Sequence, residues 1–253
     1  MKVFDEYARY YDLLYRDKDY QAETEFIVSL MKSHSPQAKF VLEMGCGTGI
    51  HAKLIAEAGY DVSGIDLSET MLTSANERKL GLAQELRTQL NFALGDVRTY
   101  RASKKFDVVL SLFHVFSYQT SNKDLNAAFQ TASEHLEPGG TLIFDYWYGP
   151  AVLSQQPETR VKRMSDNDLS IVRIAESRMD DIRSTVEVNF ETTIRTSKLT
   201  EVIRETHMMR YLFVPEIELL AAAHGLKAVS HKEWLGDTLS VGTWSGYSVL
   251  RKQ

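Results

Sequence analysis

The chain has 253 residues, 43% of them hydrophobic and 25% charged, with a formal net charge of -5 at neutral pH. That length holds one large domain, or one domain with an insertion, and supports a core without disulfide or metal staples. The ordinary composition excludes a disordered chain. The acidic balance argues against an extended polyanion such as nucleic acid as partner, and the single cysteine, Cys46, excludes an intrachain disulfide or an all-cysteine zinc site. No apolar run reaches the roughly 20 residues of a bilayer span, and Met1–Tyr20 is charged and aromatic rather than leader-like. A cytoplasmic protein without membrane partners is expected.

The first 35 residues read as helices, with Phe4, Tyr7, Tyr11 and Leu14 at helical spacing and Phe26, Ile27 and Leu30 likewise, closed by Ser35-Pro36. Strands are then predicted over 39–44, 61–65, 90–94, 106–113 and 141–145. Helices are predicted over 51–58, over 68–80 with Ser68 as its cap, and over 123–136 before the turn Pro138-Gly139-Gly140. Alternating strands and helices in this order specify a doubly wound α/β sheet. The pattern changes from Tyr146 to about Phe213, where no strong helix is read. Val186, Val188 and Phe190 alternate with polar residues, and 161–164, 171–175 and 201–213 look similar, so a small antiparallel sheet is inserted here. A helix over 215–224 and strands over 227–234 and 246–251 complete the core. The expected organisation is an N-terminal helical lid over 1–36, an α/β core from 37–145 and 214–253, and an inserted sheet over 146–213.

The strongest motif is Glu43-Met44-Gly45-Cys46-Gly47-Thr48-Gly49, between the first strand and a helix. Glycines there let backbone approach a ligand. Ile50 occupies the sixth position, so the dinucleotide fingerprint fails, and no Gly-Lys-Ser/Thr follows, so the phosphate-binding P-loop fails too. An acid ahead of the glycines repels a pyrophosphate and suits a cationic or amino-bearing ligand. Asp66 ends the second strand 17 residues after Gly49, in the place where an acid holds two ribose hydroxyls. Asp96, in Gly95-Asp96-Val97, follows the third strand and is placed to accept from an exocyclic adenine amine, with the Val97 N–H facing the ring. Each alone has a plain reading as a tight turn or helix start; together they fall at the carboxyl ends of successive strands, where open α/β sheets bind ligands.

On these motifs, with Glu137-Pro138-Gly139-Gly140 before the fifth strand, the sequence resembles the class I S-adenosylmethionine-dependent methyltransferases. The resemblance implies a Rossmann-like seven-stranded sheet with its last strand antiparallel. It implies that S-adenosyl-L-methionine is bound, and S-adenosyl-L-homocysteine released, by Glu43, Gly45, Cys46, Gly47 and Gly49 at the methionine part. Asp66 would hold the ribose and Asp96 with Val97 the adenine, on which Leu67 and Met71 would pack (Met71 equally suits a plain core role), and Leu112 and Tyr20 would line the remainder. Cys46 is read as a small packing residue.

A closer resemblance joins Tyr11-Asp12-Leu13-Leu14-Tyr15, Lys18-Asp19-Tyr20 and Glu23 to Ser111-Leu112-Phe113, the aromatic run Tyr146-Trp147-Tyr148 and the strand Thr185 to Phe190. These look like the N,N-dimethyltransferases of nucleotide-linked amino sugars, the desosamine and mycaminose type, in which a small antiparallel sheet covers the active-site mouth. That implies a dTDP-type amino deoxysugar as substrate and N-mono- or N,N-dimethylation. The chain departs from that family at Glu43-Met44 and at Asp145-Tyr146. O-methylation of a sugar or another small metabolite, and a non-catalytic S-adenosylmethionine-binding protein, stay open as alternatives. The Asn/Asp-Pro-Pro-Tyr run of nucleic-acid amino-methyltransferases is absent after strand four. Asp145-Tyr146 replaces the Asp-Asn pair of magnesium-dependent enzymes, so no metal is expected.

An amine must lose its proton before it attacks, and a general base contributes about 10²- to 10⁴-fold. His114, at the carboxyl end of strand four, leads as the base and Tyr118 follows; Tyr11 would orient the amine or close the cofactor pocket. Tyr146, Trp147 and Tyr148 are the expected substrate contacts. Arg160, Arg173, Arg178, Arg195 and Arg210 could meet a diphosphate, with Arg173 and Arg178 foremost. Residues 158–210 carry ten basic and ten acidic side chains, so the insert is no basic patch. His207 either lines the pocket or faces solvent. Antiparallel inserts often pair, which puts a homodimer among the expected assemblies.

Overall fold

In the computed structural model, residues 11, 14–166 and 169–253 are described; Phe4 and Tyr7, part of the expected first helix, lie outside them. The chain follows the predicted alternation, with one short helix, α4, that was not predicted: α1 (Tyr20–His34), β1 (Phe40–Met44), α2 (Ile50–Glu57), β2 (Asp61–Asp66), α3 (Glu69–Leu80), α4 (Gln84–Gln89), β3 (Leu90–Leu94), β4 (Phe106–Ser111), α5 (Asn122–His135) and β5 (Leu136–Tyr148). Then come α6 (Gly149–Gln155), β6 (Arg160–Asp166), β7 (Leu169–Asp180), β8 (Thr185–Arg195), β9 (Thr200–Leu212), α7 (Val214–Ala223), β10 (Leu226–Glu233) and β11 (Ser245–Lys252).

The core sheet runs β3-β2-β1-β4-β5-β11-β10, with β1 to β5 parallel and β11 antiparallel to both of its neighbours. This is the expected seven-stranded α/β sheet with its last strand reversed. Its strands are buried on both faces, which is why they read as continuous apolar runs. Leu42, Met44, Val109, Leu142 and Phe144 pack one way, with Phe129 of α5 and Ile217 of α7. The alternating Val41, Val108, Leu110 and Ile143 pack the other way, with Ile27 and Met31 of α1 and Ile55 of α2. Ser68 caps α3 as predicted, accepting from the Met71 N–H at 3.3 Å.

The inserted sheet is continuous antiparallel β6-β7-β8-β9, attached where β9 pairs with the end of β5 (Trp147 opposite Tyr211, Tyr148 opposite Leu212). Its strands are longer than their apolar cores announce, because two-residue alternation fades at half-exposed ends while the ladder continues.

Three local expectations are corrected. The stretch 146–213 does hold a helix, α6, started by Pro150 in its first turn and seated by buried Ala151 and Val152. Strand β4 stops at Ser111 rather than Phe113, because Phe113 and His114 take left-handed backbone (φ 66° and 65°) that no strand admits. The run Pro138-Gly139-Gly140 bulges out of β5 instead of preceding it. Phe106 pairs with Leu136 and Val108 with Thr141, and Gly139 bends at φ 80°. No helix among the described residues is long and apolar enough to cross a membrane.

Candidate active site

The carboxyl ends of β1, β2, β3 and β4 open on one cavity of about 330 Å³, within the range of small-molecule sites. The glycine loop enters it from β1. Gly45 sits at φ 81°, and a Cβ there would lie 2.5 Å from Val115 Cγ2, so a side chain is excluded twice over. Gly47, at φ 53°, has open space beside it and lines the cavity, which leaves backbone exposed to a ligand. Gly49 caps α2 at φ 74°, and a Cβ there would meet Phe92 at 2.8 Å. It does not line the cavity: its part is to bring helix and sheet together.

Asp66 clamps this loop. Its carboxylate accepts from the Gly47 N–H at 2.8 Å and from the Ser68 N–H at 2.9 Å, while burial pushes its pKa up against these bonds. Glu43 is 1% exposed, and its Oε2 has no hydrogen-bond partner among the described residues. Burial, reinforced by the Asp66 charge, raises its pKa from 4.5 to about 8. A buried carboxyl group that lines a cavity is able to meet a cation there. Burial also drives the Cys46 thiol well above its ordinary value, so it is a protonated packing group and no nucleophile. Asp96 is held by Arg98, which donates from Nε at 2.8 Å and from its backbone N–H at 2.9 Å, and which also reaches Asp124. A carboxylate has about four lone-pair positions, so Asp96 keeps acceptor capacity toward the cavity.

Behind the loop lies a charged cluster that joins α1 to α2. His51 Nε2 meets Glu23 Oε2 at 3.0 Å, Lys18 pairs with the same carboxylate, and Trp234 donates to Glu23 Oε1 at 3.4 Å. Burial works against the Glu23 charge, yet the His51 hydrogen bond and Lys18 hold its pKa at about 2. His51 Nδ1 stands 4.0 Å from Glu43 Oε1, and its own pKa is lowered, first by burial.

The other half of the cavity is closed by Tyr11, Tyr15, Phe113, Trp147 and, from the insert, Val188, Phe190, His207 and Met209. The left-handed turn at 113–114 swings His114 back, so that its backbone N–H donates to Asp145 Oδ1 at 2.9 Å and its Nδ1 lies 2.7 Å from Asp145 Oδ2. Asp145 is 2% exposed. Trp147 meets the His114 ring edge-on at 6.4 Å. Tyr118 shares a hydrogen bond of 2.8 Å with His207 Nδ1, and burial pushes its phenol far above the ordinary range.

Of the residues expected from sequence, Tyr11, Tyr20, Glu43, Gly45, Cys46, Gly47, Asp66, Leu67, Met71, Asp96, Val97, Leu112, His114, Tyr118 and Trp147 line this one cavity. Tyr146 and Tyr148 do not. They sit on the face of β5 opposite Trp147, Tyr146 fully buried beside Ser248 and Tyr148 packed against the same core. Arg173 is not among the lining residues, but its guanidinium lies 5.4 Å from the Tyr15 ring and 4.9 Å from the Phe190 ring, both of which line the cavity. Arg178, five residues on, projects from the opposite face of β7 and is exposed. Arg210 is also spoken for, pairing with Glu216 and Asn122. The sequence reading missed His51, Arg98 and Asp145 as parts of the site, and left His207 undecided. Its alternation with Glu205 and Met209 is the signal that places it on the inner face of β9.

A family model described as a methyltransferase domain matches residues 41–140. A dTDP-3-amino-3,4,6-trideoxy-alpha-D-glucopyranose N,N-dimethyltransferase of Streptomyces venezuelae is 30% identical over 224 residues, spanning 88% of this chain and 90% of that enzyme. The chain belongs to the S-adenosylmethionine-dependent methyltransferases. Among solved structures, Streptomyces venezuelae DesVI superposes with a TM-score of 0.81 at 27% identity, covering 98% of each chain. An S-adenosylmethionine-dependent methyltransferase from Clostridium acetobutylicum superposes at 0.82 with 22% identity and the same coverage, which shows a shared fold. The donor set suits the family's cofactor: a buried carboxyl group for its ammonium, exposed glycine backbone beside it, and acids at the ends of β2 and β3.

Proposed function

We propose that this methyltransferase acts on the amino group of a nucleotide-linked, dTDP-type amino deoxysugar, adding one or two methyl groups. The observation that carries the reading is a single cavity with two unlike halves. One half is made by the glycine loop and the strand-end acids. The other is aromatic, roofed by the inserted sheet and equipped with a histidine backed by a buried carboxylate. The 30% identity with an amino-sugar N,N-dimethyltransferase over nearly the whole chain supports it.

In this reading Glu43 with the Gly45 and Gly47 backbone takes the methionine end of the cofactor. Asp66 and Leu67 take the ribose, Asp96 and Val97 the adenine, and Tyr20, Met71, Leu112 and Cys46 fill the remaining wall. Bound there, S-adenosylmethionine supplies an electrophilic methyl group, so the protein's task is chiefly to place a lone pair in line with it. His114 accepts the proton that the acceptor ammonium must shed, and Asp145 orients the ring and stabilises the imidazolium. Trp147 and Tyr11 wall the sugar. Arg173, beside the Tyr15 and Phe190 rings, faces the diphosphate, for which a planar guanidinium is suited.

The test is product formation with a panel of dTDP-linked sugars that carry either an amine or only hydroxyls. Release of S-adenosylhomocysteine with amine acceptors alone, with a mass gain of one or two methyl groups, is expected. Turnover with hydroxyl acceptors alone would overturn the reading in favour of O-methylation.

A further inference from the structure

Two neighbouring residues that lack the freedom of glycine, Phe113 and His114, both take left-handed backbone, at φ 66° and 65°. Such a pair persists only where its surroundings hold it. His114 is held from β5, where Asp145 Oδ1 accepts its backbone N–H at 2.9 Å. Phe113 is held by its ring, and the segment ahead of α1 supplies the groups that meet it. Tyr15 stands edge-on at 4.9 Å, Tyr11 edge-on at 6.3 Å, and the Lys18 ammonium lies 4.3 Å from the ring centroid. The same ring stacks on that of His114, the two planes 19° apart and the centroids 5.8 Å apart.

Lys18 is itself fixed from behind. Its side chain is 15% exposed and pairs with Glu23 of α1. The Glu23 carboxylate also meets His51 of α2 at 3.0 Å and accepts from Trp234, just past β10, at 3.4 Å. The ammonium is thus anchored to the core through one carboxylate and set over one ring. A ring face carries negative charge, and its pull on a cation grows as water is stripped away. An apolar side chain of the same length would fill the space without that pull.

Left-handed backbone is costly for phenylalanine and free for glycine. The contact with Lys18 offsets that cost, and the ring it holds is the one stacked on His114. We propose that Lys18 is a positioning residue: by holding the Phe113 ring it keeps the 113–114 turn left-handed, and so keeps His114 at Asp145 and in the cavity. The kinetic consequence rests on the reading of His114 as the base given above. Docking of the segment that carries Lys18 and placement of the base are then one event, so the N-terminal segment does more than wall the cavity.

Two readouts test it. In hydrogen exchange without substrate, Lys18→Met should lower the protection of the His114 amide about five- to thirtyfold, the reach of one partly desolvated cation–π contact. The Trp147 amide, which donates to Ser117 Oγ at 3.0 Å, should keep its protection. With an amine acceptor and saturating cofactor, kcat should fall by the same factor. Lys18→Arg keeps the cation and should stay within about threefold of the parent in both readouts. Adding Phe113→Gly to Lys18→Met is the sharper arm. Glycine takes the left-handed turn unaided, so protection and kcat should rise again although cation and ring are both gone. In a His114→Ala background, Lys18→Met should cost no further kcat, because its effect runs through His114. Unchanged protection in Lys18→Met, a Phe113→Gly addition that raises neither readout, or a further loss in the His114→Ala background would overturn the proposal. If His114→Ala keeps full turnover, or no amine acceptor turns over with the unaltered enzyme, the functional reading fails instead, and the exchange data alone judge Lys18.

Discussion

Replacing Glu43 by Gln tests the site through two observables that share one cause. Its carboxyl group has an ordinary pKa of 4.5 and is raised to about 8 by burial and the neighbouring Asp66. At pH 7 the empty site therefore holds Glu43 about nine-tenths protonated. The cofactor's ammonium, itself mainly charged at that pH, favours the carboxylate, so binding should expel close to one proton. Affinity should then rise almost tenfold from pH 6 to pH 7 and level off near 8. Titration calorimetry in buffers of different ionisation enthalpy counts that proton directly, and the Gln variant should release none and show a flat profile.

The same shift makes a stability claim whose sign is opposite to that of a salt-bridged acid. Between pH 4.5 and about 8 the folded chain keeps the Glu43 proton while the unfolded chain gives it up, so the folded state binds more protons and stability falls as pH rises through this window. The gap corresponds to a loss of about 5 kcal/mol at most by pH 8, at about 1.4 kcal/mol per pH unit. The Gln variant lacks that slope. Its stability relative to the parent should thus grow across the window in urea melts without cofactor, while its cofactor affinity at pH 8 is lower. Equal pH slopes in parent and variant, or no proton release by the parent, would refute the assignment of Glu43 as the buried, cation-seeking acid.

His114→Ala should cost about 10²- to 10⁴-fold in methyl transfer with cofactor affinity unchanged; full turnover by this variant shows that the base is elsewhere. Gly45→Ala puts a side chain at φ 81° and 2.5 Å from Val115, so the backbone alone should destabilise the fold by about 1–3 kcal/mol in a thermal or urea melt, and more where Val115 cannot yield. Arg173→Ala should raise the KM for the nucleotide sugar about tenfold, whereas Arg178→Ala, on the other face of the same strand, should leave it unchanged; equal effects would refute the face assignment. Tyr146→Phe should lower stability through its lost bond to Ser248 without touching KM, and Trp147→Ala should raise the acceptor KM.

The half of the cavity built by the glycine loop and the strand-end acids was legible because its residues are local in sequence. The glycine loop, Asp66 and Asp96 each end a strand, and one rule about strand ends collects them. What escaped notice depends on groups brought together from afar. Asp145 was noticed for the magnesium ligand it does not form and as a departure from the amino-sugar enzymes, not as a partner of the base. Its value lies in facing His114, 31 residues away, across a turn that exists because Phe113 and His114 adopt left-handed backbone, which nothing in Ser111-Leu112-Phe113-His114 announces. His51 sat unremarked on a helix until folding set it between Glu23 of α1 and Glu43 of β1. Arg98 follows Asp96 by two residues and takes up the acid that was expected to stand open.

The aromatic half of the cavity shows a different limit, and one that a stricter use of strand parity removes. Tyr146-Trp147-Tyr148 was taken as a single aromatic contact, yet on a strand neighbours point to opposite faces. Once β5 is known to continue to Tyr148, only one parity can reach the cavity, and buried Phe144 already assigns the even positions to the core. Trp147 follows without coordinates. The same arithmetic separates Arg173 from Arg178, which differ by an odd number, and joins His207 to Glu205 and Met209, which differ from it by two. Parity needs a fixed point, however, and in the insert that point is register: Val188 stands opposite His207, and Arg173 opposite Thr192. Register between strands is set by hairpin turns such as the one between β7 and β8, where Ser184 takes φ 55°. The composition of that turn does not betray its geometry. The face of a residue on its own strand can thus be read from the chain, while the partner across the gap waits on the turn.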